Sequence, residues 1–192
     1  RGNFSEWLAL GALTLLTGSF TIRVPGLMAR MSVSDTFVFA SVLVFGPAVA
    51  TVIVAVDSIV ATLWMAKENR SLLRSLFNIA AASLAIWIAS NAFYLISQTA
   101  PGSSTPLSQL LGPLFALALL YFLVNTWLVA LALGFEKHAS PIQLWWEHFP
   151  WLALNYFGGV SVAALLVSQT RAFDLTTIGL IMPLLVITYF TY

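Results

Sequence analysis

Apolar runs of helix-spanning length recur along the whole of this 192-residue chain, and few charges interrupt them. A segment of ~20 apolar residues is what an α-helix needs to cross ~30 Å of hydrocarbon. Continuous runs, rather than alternation with period two, argue against a transmembrane β-barrel. Sixty per cent of the residues are hydrophobic and 8% are charged. A soluble domain carries roughly 25% charge and needs it to cover its surface. The pattern therefore excludes a soluble enzyme domain, a disordered tail, a nucleic-acid binder and a disulfide scaffold. It leaves an all-α, polytopic membrane bundle, read as one domain over residues 1–192.

The periodic runs read as seven helical segments. They cover about Phe4–Phe20, a short run from Asp35 to Phe45, Ala48–Ala66, Ser75–Ile96, Leu110–Phe135, Phe149–Ser168 and Leu175–Tyr192. The expectation is six to seven membrane segments, including one short helix and a Gly-Pro hairpin. Ser34 and Asp35 stand where an N-cap belongs, and Gly46-Pro47 breaks the run that follows. Val33–Phe45 is about 20 Å long at 1.5 Å per residue, too short for the hydrocarbon core. It either spans with help at the interface or folds as a half-depth hairpin with the next helix. Irregular backbone at membrane depth is tolerated only against protein or a cavity, so residues 20–47 are the best structural neighbourhood for a site. Between the fifth and sixth helices lies EKHASPIQLWWEH, whose tryptophans suit a membrane interface.

Loop charge predicts orientation. With every helix spanning, Arg23, Arg30, Lys67, Arg70, Arg74 and Lys137 fall on one side, and Arg1 and Arg171 on the other. The positive-inside rule makes the first side cytoplasmic, and Tyr192 ends there. The chain starts at Arg1 rather than Met. The expectation is a piece of a longer protein, with an upstream helix and a downstream cytoplasmic effector domain.

Polar residues inside the apolar runs are the candidate site. Asp57 sits mid-helix, where an ionised carboxylate is costly and therefore a functional candidate. It reads as a ligand or ion contact or a protonatable switch, against the plainer reading of a neutral acid hydrogen-bonded to a neighbouring asparagine or serine. Asn78, Asn91, Asn125 and Asn155 are either helix–helix glue or, with Asp57, Tyr121 and Tyr156, a shared polar cavity. Of these, Asp57, Asn78, Asn125, Asn155, Tyr121 and Tyr156 form the candidate ligand site. Asp35 reads as an N-cap and helix-dipole partner. Arg23 and Arg30 pair with it, hold an anionic headgroup or ligand, or simply set topology.

Absent motifs limit the chemistry. Both lysines lie at helix ends, so none is placed for a retinal Schiff base. His138 and His148 share one loop region, a poor position for haem or chlorophyll ligation in the bundle core. The spacing of His138, Glu147 and His148 matches no strong metal motif. There are no cysteines, and no P-loop, GxSxG or HExxH. No catalytic residue, cofactor or metal is expected.

The segments FTIRVPG, MSVSDTFVFASVLVFGPAVA and RSLLRSLFNIAAASLAIWIAS resemble the N-terminal membrane module of bacterial HD-GYP/GGDEF cyclic-di-GMP signalling proteins. IGLIMPLLVITYFTY resembles the last helix leading into such a domain. SDTFVF with FGP is also similar to the short-helix region of substrate-binding subunits of energy-coupling-factor transporters. The first resemblance implies a sensory input module in the bacterial inner membrane that signals through its last helix. Its partners would be the lipid bilayer and a cytoplasmic effector domain or partner subunit, and a homo-oligomer is compatible. The alternatives are a transport or substrate-binding subunit, with Ala80, Ala81, Ala82, Ala85 and Ala89 as a docking groove, and an accessory subunit of a larger membrane complex.

Overall fold

The structure is a computed structural model and describes residues 21–23, 30–32, 35–65 and 72–169. The expected helices at 4–20 and 175–192 lie outside the described residues. Two three-residue strands come first, β1 (Thr21–Arg23) and β2 (Arg30–Ser32), paired antiparallel with Arg23 opposite Arg30. Among the described residues six helices follow: α1 (Asp35–Phe45), α2 (Pro47–Met65), α3 (Leu72–Ser97), α4 (Leu107–Lys137), α5 (Pro141–His148) and α6 (Ala153–Gln169). A 3₁₀ turn, Pro150–Leu152, separates α5 from α6.

The short helix α1 occupies the centre. Seven consecutive residues, Phe37–Leu43, are buried. Seven residues make nearly two turns, so no face of α1 is left free. It packs on α2 and α6, and α2, α3, α4 and α6 follow one another around it. The ring of Phe39 meets Tyr121 of α4 at 5.6 Å.

A buried helix end must have its last carbonyls satisfied. Gly46, at φ 89°, turns the chain back, and its N–H donates to Val42 O at 3.0 Å. Tyr94 of α3 donates its hydroxyl to the same carbonyl at 2.5 Å, and Gly102 N–H donates to Leu43 O at 3.0 Å. A Cβ at Gly46 would lie 2.9 Å from Pro101 Cγ. The loop between α3 and α4 therefore clamps the α1–α2 corner.

At the opposite end of the α3–α4 pair, Arg74 Nη2 meets Glu136 Oε1 at 2.8 Å. Gly134 lets α5 fold against α4, since a Cβ there would lie 2.6 Å from Pro141 Cγ. Ser140 caps α5, with Pro141 in its first turn. Trp145 of α5 stacks on Trp127 at 5.4 Å and donates its indole N–H to Thr126 Oγ1 at 2.9 Å.

The expected six to seven membrane segments are overturned. Among the described residues two helices are long and apolar enough to cross a membrane, Leu73–Ser97 and Leu107–Lys137. Only 33% and 39% of their apolar windows are buried, whereas the core helix of a soluble protein would be mostly buried. Exposed Leu76, Leu84, Trp87, Leu95, Leu111, Phe115 and Leu131 make their outer faces apolar. Of the other apolar runs, α1 meets protein, whereas α2 and α6 are shorter and still expose Val52, Val56, Leu154 and Val162. The run 35–65 is broken at Gly46, and a 17-residue helix, Ala153–Gln169, follows the turn at Pro150. The β-ribbon also departs from an all-helical expectation, although the helical bundle itself stands. The loop alternation used to orient the chain assumed that every helix spans, and that assumption falls with the segment count.

Candidate polar binding site

Four helices bring polar side chains together beside α1. Asp35 opens α1 and lies eleven residues before Gly46; Asp57 lies eleven residues after it on α2. In one continuous helix they would be about 33 Å apart. The Gly46 corner instead brings them within electrostatic range, and Asp57 acts on Asp35 directly. Asn155, at the start of α6, donates its Nδ2 to Asp35 Oδ2 at 3.2 Å. One residue on, Tyr156 accepts a hydrogen bond from Asn125 Nδ2 of α4 at 2.9 Å. The Tyr156 ring meets Tyr121 at 5.2 Å, close to perpendicular at 74°. Tyr121 feels the charges of both Asp35 and Asp57.

Local sequence explains these positions. Gly159 on α6 lets that helix approach α1, because a Cβ there would already lie 3.4 Å from the Phe39 ring. That close approach brings Asn155, one turn earlier, to Asp35. On α4, Tyr121 and Asn125 are four residues apart and so share a face. Ser41, Ser90 and Thr126, the buried hydroxyls, each donate to the carbonyl four residues back in their own helix. They fill their own needs and leave the cluster to other side chains.

Asp35 and Asp57 repel each other when both are ionised. Arg74 pairs with Glu136, Lys137 and His138 are exposed, and His148 is 3.9 Å from Glu147.

Of the residues expected at the site, the structure therefore gathers Asp57, Tyr121, Asn125, Asn155 and Tyr156. Asn78 is exposed on α3 and shares none of these contacts among the described residues. Asn91 is exposed too and donates to Trp87 O in its own helix. Asp35, which the sequence grouped with Arg23 and Arg30, accepts a hydrogen bond from Asn155. Arg23 and Arg30 stand opposite each other in the β-ribbon. His138, Glu147 and His148 do not assemble a site: among the described residues no three His, Cys, Asp or Glu side chains are grouped to hold a metal. The sequence offered no signal for Tyr94, Gly102 or the Thr126–Trp145 bond, since each joins residues far apart in the chain.

A family model, MASE9, matches residues 9–190, nearly the whole chain. The chain belongs to the MASE9 family. MASE families are membrane-associated sensor domains. The exposed apolar faces of α3 and α4 agree with membrane association of this MASE9 module. No curated protein matches the chain.

Proposed function

We propose that this MASE9 module is a sensory input domain of the bacterial inner membrane that takes a small ligand at the α1, α2, α4 and α6 cluster. Its output passes through residues 175–192 to a cytoplasmic effector, of the HD-GYP or GGDEF class that the sequence resembles. The observation that supports this most is the convergence of Asp35, Asp57, Tyr121 and Tyr156 in a module of a sensor family. Intramembrane acids are expensive to keep and mark functional positions.

Depth supports the same reading. The α1–α2 corner touches the loop between α3 and α4. Asp35 and Asp57 each lie about 16 Å from it along their helices, roughly half the thickness of a hydrocarbon core. The Arg74–Glu136 bridge marks the opposite end of the α3–α4 pair, and Lys137 follows directly. By the positive-inside rule that end faces the cytoplasm.

The test is Asp57→Asn and Asp57→Leu in the full reading frame, read with a cyclic-di-GMP reporter in cells. The expected result is altered output at unchanged membrane abundance. Unaltered output at unchanged abundance would sink the sensing role of the cluster.

A further inference from the structure

Helix α3 has two unlike faces. Ala81, Ala85 and Ala89 stand four apart and are buried, at 4%, 0% and 0% exposure. The alanine run that the sequence offered as a docking groove therefore packs inside the chain, where α2 and α4 lie against α3. The outward stripe is open. Leu76, Leu84, Trp87, Ile88 and Leu95 are exposed and recur at helical spacing, so they form one apolar face.

Asn91 interrupts that face. It follows Leu84 by seven residues and precedes Leu95 by four, and it is exposed. It lies six residues, about 9 Å, inside the end of α3 at Ser97, in a run from Ser75 to Ile96 without charge. Its Cβ tilts toward the helix N-terminus, away from that nearer end. The side chain follows the same direction, because Nδ2 donates to Trp87 O at 2.8 Å, one turn deeper. That bond uses one N–H. A carboxamide carries a second N–H and an acceptor oxygen, and hydrocarbon offers nothing to either.

The chemistry of the amide selects the occupant of this face. Lipid tails meet the leucines well and the amide badly. A carboxamide is its own complement, since oxygen and N–H on one match N–H and oxygen on another. A two-fold axis along the membrane normal sets each residue of α3 opposite its own copy. One asparagine in an otherwise apolar seam fixes register and number in paired helices. In lipid, interhelical hydrogen bonds of this kind add to close packing.

We propose that the α3 face of Leu84, Trp87, Ile88, Asn91 and Leu95 joins two copies of this chain in a parallel dimer within the membrane. The Asn91 carboxamides bond to each other across the two-fold axis. The apolar residues one turn above and below pack around them. This interface is separate from the cluster beside α1 and does not depend on a ligand there.

The chain has no cysteine, so single cysteines map the contact directly in the full chain. Leu84→Cys, Ile88→Cys and Leu95→Cys probe the face. Leu131→Cys on α4 and Leu165→Cys on α6 are controls at other exposed positions. Each protein is oxidised with copper phenanthroline in phosphatidylcholine vesicles. A disulfide needs Cα atoms within about 7 Å. Cross-linked dimers from the three α3 variants and none from the controls are expected. Energy transfer on dilution into excess lipid then measures association. Asn91→Leu should weaken it about tenfold, and Asn91→Gln, which keeps the carboxamide, should weaken it less. Equal cross-linking at all five positions would mean random collision and overturn the proposal. Cross-linking at Leu131 or Leu165 alone would place the contact on another face. Undiminished association of Asn91→Leu would remove the amide from the interface. A monomer at every dilution would leave the face to lipid or to a different protein, and the dimer would fall.

Discussion

Asp35 and Asp57 stand eleven residues on either side of Gly46, and the corner there brings the two carboxyls within electrostatic reach. The spacing is symmetric about the corner, so a change at Gly46 acts on both acids at once.

Gly46 is constrained twice, by its φ of 89° and by Pro101 Cγ at 2.9 Å from where a Cβ would sit. Gly46→Ala should cost about 1–3 kcal/mol from backbone strain, with more from the clash. A denaturation midpoint unchanged by this substitution would show that the corner is looser than described.

Tyr94→Phe tests the clamp on α1. It leaves the ring in place and removes the hydroxyl that serves the Val42 carbonyl. The expected loss is about 1–2 kcal/mol, less than full exposure of the carbonyl, because Gly46 N–H still donates to it. Hydrogen exchange should quicken at the C-terminal turn of α1 and leave α5 unchanged.

Thr126 holds two bonds at once. It donates to Phe122 O at 2.7 Å and accepts from Trp145 Nε1 at 2.9 Å. Thr126→Val keeps the shape and strands the indole N–H, at a cost of about 1–3 kcal/mol. Trp145→Phe in the same background should recover part of that loss in a double-mutant cycle.

The Arg74–Glu136 pair should contribute little by comparison. Both side chains are about half exposed, at 63% and 46%. Exposed pairs contribute ~0–1 kcal/mol, so Arg74→Gln should barely shift the unfolding midpoint.

Local signals in the sequence located the elements well. Asp35 starts α1 and Gly46-Pro47 ends it, whereas α5 falls in the stretch read as the connection between two helices. Tyr121 and Asn125 stand among the residues expected at the site, and they share a face of α4. What sequence could not supply was the environment of each apolar face. Hydropathy treats a leucine against lipid and a leucine against protein alike, so the buried helix α1 was counted with the membrane segments. Sequence also gave no sign that Asn155 and Asp57 neighbour Asp35, since both arrive by the folding of α6 and α2, at sequence distances that no period encodes.

Because α1 has no free face, its two ends behave as a single mechanical part. The carboxyl of Asp35 sits at one end, and the carbonyls held by Tyr94 and Gly102 sit at the other. One enclosed helix thus ties the acid to the loop joining the two membrane-length helices, about 16 Å away along its axis.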